Sequence, residues 1–185
     1  NVGGAYLTYT NTTLGTEILY AQHIDDELIP TWPSDGLLVN PNAILGQFNP
    51  QMVSGPDDYL YYFWTEDIFF QGLLLHAQKY DIDGNAQWTE GGLQIGPADI
   101  SGDKYVRDVI AMADSTIIYV WEAVTVDGTK TYVSKLDGSG ATLWTEAIST
   151  TAGTQKNAIS IYDVSDDVLT IGWEDHRALA ESGVD

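Results

Sequence analysis

Cysteine is absent from this 185-residue chain, which excludes disulfides and thiolate-ligated metal centres. Secretion is not excluded, because a large β domain has enough core to do without covalent cross-links. Basic residues are scarce: 7 Lys and Arg stand against 27 Asp and Glu, for a formal net charge of −20. Such a surface repels phosphate backbones and anionic headgroups, which argues against nucleic acid and anionic membranes as partners. It suits a salty or extracellular medium, with divalent cations as an alternative ligand class. Long apolar runs are missing too. Leu73-Leu74-Leu75 is among the longest and is far too short to cross a bilayer. There is little of the Ala–Leu–Glu–Lys periodicity of helices, whereas Tyr, Trp and Gly are plentiful, which favours β structure. The opening Asn1-Val2-Gly3-Gly4 has neither an initiator Met nor a basic leader segment, which suggests processing or excerpting.

What is present is a repeat. Ala21-Gln22-His23-Ile24-Asp25, Ala77-Gln78-Lys79-Tyr80-Asp81 and Val133-Ser134-Lys135-Leu136-Asp137 recur at a spacing of 56 residues. Seven residues beyond each Asp stands a Trp: Trp32, Trp88 and Trp144. Gly36 and Gly92 keep the same spacing. A second series, Trp64, Trp121 and Trp173, ends short aromatic or β-branched runs, with Asp57, Asp114 and Asp166 seven residues upstream. The two series use all 6 tryptophans of the chain.

An Asp in a turn can accept a hydrogen bond from the backbone two residues on, and nearby Gly or Asn supplies the left-handed conformations a tight turn needs. A Trp seven residues on is then expected on the returning strand, packed between stacked sheets. Each repeat reads as two hairpins, or four short strands a to d. In the third repeat these are expected near residues 107–113, 116–122, 130–136 and 141–146. Tandem four-stranded antiparallel units of this length are the signature of β-propeller blades. Sandwich domains need roughly 100 residues each. The expected fold is therefore all-β: a partial β-propeller of about three and a half blades, at about 1–40, 46–97, 104–150 and 156–185. The first blade lacks strand a and the last stops after strand b, so flanking sequence is expected to close the ring.

Trp173-Glu174-Asp175-His176-Arg177, taken with the stretch from Ala77 to Trp88, resembles a family of secreted bacterial propeller repeats of the Bacteroidetes type. Those repeats run as a W-x-D-x-R strand end, a variable loop and an AQ…D-dG…W hairpin. The W-x-D-x-R word is intact only in the last blade. The resemblance implies an extracellular or outer-membrane-surface location and a scaffold or adhesive role toward protein or glycan. In that family, export often uses a dedicated outer-membrane secretion system. No catalytic residue is implied by it.

The candidate sites follow from departures within the repeat. Asp81, Asp83 and Asn85 alternate oxygen-bearing side chains, which reads as a hairpin turn first and as a calcium site second; no other cofactor is expected. Asp175 and Arg177 read as an ion pair bracing the end of a strand. Phe69 and Phe70 put large apolar groups in the b–c loop of the second blade, read over residues 65–72, either packed under a neighbour or exposed as a contact patch. A sialidase would need an arginine cluster, and only Arg107 and Arg177 exist; its Asp-box also has a shorter Asp–aromatic spacing. His23, His76 and His176 occupy different repeat positions, so a shared metal site is not expected. Nucleophile-elbow and phosphate-loop motifs are missing. The alternative to a scaffold is part of a propeller-type carbohydrate-active enzyme.

Overall fold

A computed structural model of the chain describes residues 3–13, 15–149, 153–163, 165–166 and 168–176. Among these residues there are thirteen strands and no helix, hence no helix long and apolar enough to cross a membrane. The first sheet contains β1 (Ala5–Thr13), β2 (Thr16–Ile24) and β3 (Leu37–Leu38). The second contains β4 (Gln47–Ser54), β5 (Leu60–Ile68), β6 (Gly72–Tyr80) and β7 (Leu93–Ile95). The third is built from β8 (Asp103–Ala111), β9 (Ile117–Thr125), β10 (Gly128–Leu136) and β11 (Thr142–Ala147), and the fourth from β12 (Gln155–Asp163) and β13 (Val168–Asp175). All pairings are antiparallel, strand order follows chain order, and no sheet closes on itself among the described residues.

The sheets stack in series. The leading strand of each lies against the sheet before it: β4 on β2, β8 on β4, β5 and β6, and β12 on β8, β9 and β10. This explains why the middle strands read as unbroken apolar runs. Along β5, Leu60, Tyr62 and Trp64 enter a core shared with Leu19 and Ala21 of the first sheet, whereas Tyr61 and Phe63 enter one shared with Tyr119 and Trp121 of the third. A strand buried on both faces needs apolar side chains at successive positions. Each such fully buried side chain stabilises the fold by roughly 1.5–3 kcal/mol.

The Gln of the repeated Ala-Gln pair explains the shape of the c–d hairpins. Gln78 Oε1 accepts from the backbone N–H of Lys79 at 2.8 Å and of Trp88 at 3.0 Å, while its Nε2 donates to Thr89 O at 2.8 Å. Gln22 does the same with His23, Trp32 and Pro33. The side chain takes the place of a strand where the fourth strand has peeled away. Pairing resumes at Ala21↔Leu37 and Ala77↔Leu93, again 56 residues apart. In the third repeat the matching residue is Ser134, too short to span that gap. There β11 pairs along β10, with Trp144 opposite Lys135. Trp144 thus lies on the returning strand but is exposed rather than packed between sheets, whereas Trp32 and Trp88 lie ahead of their strands, held by glutamine. Only those two are equivalent.

Their indoles reach forward to the next sheet. Trp32 Nε1 donates to Ile82 O at 2.9 Å, and Trp88 Nε1 to Gly138 O at 3.4 Å, each 50 residues ahead and one residue past the Asp of the next turn. The turns are shaped to receive them. Asp81 Oδ1 accepts from the N–H of Asp83 and Asn85, and Asp137 Oδ1 from that of Ser139 and Ala141. Gly84 and Gly140 then take positive φ, +83° and +87°, and present a bare face to the arriving indole, where a Cβ would come within 3.2 Å of Trp32 and 3.3 Å of Trp88. In the first sheet Leu28 holds the matching left-handed position.

The a–b turns are more varied. Asp57 and Asp114 pair with the strand-c lysines Lys79 (3.0 Å) and Lys135 (3.7 Å). In the fourth sheet Asp163, not the Asp166 marked by the spacing, accepts from Ser165 N at 2.9 Å. The reason is local: this hairpin places its carboxylate two residues before the serine N–H. Arg177 lies outside the described residues.

Replacing Gln78 by Ala leaves two part-buried N–H groups without their acceptor, an expected loss of about 1–3 kcal/mol. Urea unfolding followed by near-UV circular dichroism measures it. A loss under about 0.5 kcal/mol, the level of an ordinary surface change, would mean the glutamine does not hold the hairpin.

Candidate functional site

The b–c loop of the second sheet is shorter than the sequence suggests. Thr65, Glu66, Asp67 and Ile68 continue β5, leaving Phe69, Phe70 and Gln71 as the loop. Two glimpses of the same geometry define it: Gln71 N donates to Ile68 O at 2.8 Å, and Phe70 and Gly72 both take positive φ, +64° and +80°. A bulky residue in the left-handed region is uncommon and strained. The Phe69 and Phe70 rings lie 4.0 Å apart between centroids and face solvent, at 65% and 94% exposure.

Beside this loop, the connection from β7 to β8 encloses a cleft of about 390 Å³, bordered by Gln71, Leu74, Gln94, Ile100, Asp103 and Lys104. Asp103 Oδ1 accepts from Leu73 N at 3.0 Å and fixes the two elements together. Lys104 is buried, and burial holds its ammonium below the ordinary lysine range, with Asp103 opposing.

Carboxylates that could serve acid–base chemistry are engaged elsewhere. Glu66 is buried and accepts from Trp64 Nε1 at 2.7 Å, from Asn40 Nδ2 at 3.0 and 2.9 Å, and from Gln47 Nε2 at 3.4 Å. Gln47 Oε1 in turn accepts from Leu19 N, joining the first two sheets. Glu122 accepts from Arg107 Nη2 at 2.6 Å and from Ala158 N at 3.3 Å; Asp108 Oδ2 accepts from Ser160 N and Oγ. The Ala158 and Ser160 contacts join the third and fourth sheets. Arg107 and Asn157 fall at irregularities in the leading strands, where the register with the second strand shifts. None of these residues was legible as a site. The signal available was an acidic residue directly after a buried tryptophan run, as in Trp64-Thr65-Glu66 and Trp121-Glu122.

The Asp81, Asp83 and Asn85 turn brings its three residues together around the Asp81 carboxylate. Both Asp81 oxygens accept from Asn85 Nδ2, and Gln87 Nε2 adds a bond to Oδ2 at 3.1 Å. In the equivalent turn of the first sheet, Asp25, Asp26 and Glu27 bring their ligand atoms within 4.8 Å of one another.

No family model matches the chain, and no curated protein matches it. Among solved structures, it is similar to an endo-arabinase from Bacteroides thetaiotaomicron, at 13% identity and TM-score 0.54, over 92% of this chain and 66% of that one. It is also similar to an endo-1,4-beta-xylanase from the same organism, at 12% identity and TM-score 0.43, over 80% of this chain and 55% of that one. The chain thus spans just under two thirds of the endo-arabinase and about half of the xylanase. The first likeness is one of fold.

His76 stacks on Trp64 at 5.6 Å, and its buried Nδ1 has no hydrogen-bond partner among the described residues. Burial is the larger influence and lowers its proton affinity below the ordinary imidazole range, while Glu66 and a backbone contact near Leu74 oppose it. The unfolded chain therefore binds this proton more readily, and stability falls as pH drops below the unfolded value of about 6.5. The urea midpoint is expected to be lower at pH 5.5 than at pH 7.5, with a smaller difference in His76→Gln. An identical pH dependence in that variant would assign the effect to other groups.

Proposed function

We propose that this chain is about three and a half blades of a β-propeller in a secreted or cell-surface bacterial protein, acting as a scaffold or adhesin that binds protein or glycan without catalysis of its own. The propeller reading is supported by the serial stacking of sheets with their leading strands adjacent, and by the forward contact from one c–d hairpin to the next. Exposure to an extracellular medium fits the acidic surface and the resemblance to secreted propeller repeats.

The observation that carries the binding role is the Phe69–Phe70 pair. Two adjacent aromatic rings in solvent, one on a strained backbone, are costly for a soluble surface unless a partner covers them. They stand beside the cleft that contains Lys104, so an apolar contact adjoins polar groups. The non-catalytic role is supported by the engaged carboxylates: Glu66 accepts from Trp64 and from the Asn40 linker, and Glu122 and Asp108 accept from the fourth sheet.

A second reading, part of a carbohydrate-active propeller enzyme, is favoured by the fold likeness to the endo-arabinase. One experiment separates the two. The full chain is screened on a glycan array and against a surface-protein extract, with calcium and with chelator, and incubated with the bound glycans. Binding without turnover, lost in Phe69→Ser/Phe70→Ser with the fold intact, is the expected outcome. Hydrolysis of any glycan would replace the scaffold reading by the enzyme.

A further inference from the structure

At the opposite end of the strands from the Phe69–Phe70 loop, the second and third sheets leave a groove of about 480 Å³ between them. Tyr59, Lys79, Gln87, Trp88, Thr89 and Ser139 line it. The equivalent place one repeat earlier is closed. There Trp32 is only 5% exposed, with its ring 5.6 Å from Tyr6 and 6.0 Å from Tyr80.

Two departures from the repeat open the later one. Tyr80 ends β6 opposite Leu60, and its counterpart, Leu136, ends β10 opposite Ile117. The counterpart of the tyrosine ring that packs on the first indole is thus a smaller aliphatic side chain, fully buried in the core cluster against which Trp88 packs. The other departure is Tyr59. The residue just ahead of the second strand is Gly4 in the first sheet and Thr116 in the third, but Tyr59 here adds a ring to the groove wall. Both departures fall at one interface, since Tyr59 packs against the core cluster that contains Leu136.

The lining combines two aromatic rings with amide and hydroxyl groups, the mix found where a ligand with an apolar face and polar edges is held. A pyranose ring has that character, with C–H groups on its faces and hydroxyls at its edge. Charge selects further. The Lys79 ammonium is already paired with Asp57 at 3.0 Å and lies 3.9 Å from the Tyr59 ring centroid, so it offers no free cation to an anionic sugar. The chain's net charge of −20 opposes anions as well.

We propose that the groove between Tyr59 and Trp88 is a subsite for one neutral pyranose unit of an oligosaccharide. This site does not rest on the Phe69–Phe70 surface, and its test reads it separately.

The test uses the full chain with ¹⁵N-labelled tryptophan indoles, titrated in turn with xylohexaose, cellohexaose and mannohexaose up to about 10 mM, beyond the millimolar Kd of a weak single subsite. The Trp88 indole signal is assigned from Trp88→Phe. The expected result is a saturable shift of that signal with at least one sugar. Tyr59→Thr, which installs the residue of the third repeat, should weaken binding roughly tenfold, about 1.4 kcal/mol. Leu136→Tyr should abolish binding by filling the groove, wherever its other indole signals stay in place. A Trp88 signal that moves with none of the sugars, shifts confined to other indoles, or unchanged affinity in Tyr59→Thr would each overturn the proposal.

Discussion

The indole of Trp32 crosses from one sheet to the turn of the next, and that turn is shaped to receive it. Its N–H meets Ile82 O, and its ring lies on the bare backbone of Gly84. That face exists only because the Asp81 carboxylate gathers the N–H groups of Asp83 and Asn85 and closes the turn into a form that demands a positive φ. The Trp32 backbone stands where it does because Gln22 has replaced a stretch of strand pairing with side-chain hydrogen bonds. Carboxylate, glycine, glutamine and tryptophan are one device. It recurs at Gln78, Trp88, Asp137 and Gly140, so the 56-residue period is the repeat of a contact as much as of a sheet.

Much of this was legible because each part leaves a letter at a fixed spacing. The Asp caps, the Asp-to-Trp interval and the glycines Gly36 and Gly92 were readable as a period, and the alternation of strands followed from it. Gly92 proves to lie against Trp64 and Gly36 against Tyr9, a close approach that permits no side chain. What could not be read was a substitution that changes pairing rather than type. Ser134 in place of Gln lets β11 run along β10 and puts Trp144 into the sheet, although its spacing from Asp137 is unchanged. Likewise Asp166 keeps the interval to Trp173, but Asp163 makes the turn bond to Ser165, because spacing along the chain does not encode which carboxylate the hairpin turns inward.

The candidate sites divide along the same line. Phe69 and Phe70 were visible as apolar residues in a place that should be polar. The buried acids were not, since in sequence Glu66 resembles any acidic strand end; only the fold brings it together with Gln47 on the paired strand, Trp64 on its own strand and Asn40 of the linker before them. Acidic groups buried in this way need several donors, which come here from the same sheet, from the Asn40 linker and, for Glu122, from the next sheet, so they serve cohesion. The Trp88 groove was hidden for another reason. It lies where Leu136 takes the place that Tyr80 holds one repeat earlier, a difference unremarkable in one sequence.

The account stands on direct coupling between residues far apart in sequence and belonging to different sheets. A double-mutant cycle on Trp32→Phe and Gly84→Ala, measured by urea unfolding of the full chain, tests it most directly. Residues in contact show interaction energies of about 0.5–3 kcal/mol, whereas independent sites add within about 0.3–0.5 kcal/mol. The forward docking of the indole predicts a coupling in the first range. Additivity of the two changes would contradict it, and with it the serial contact on which the arrangement of the sheets depends.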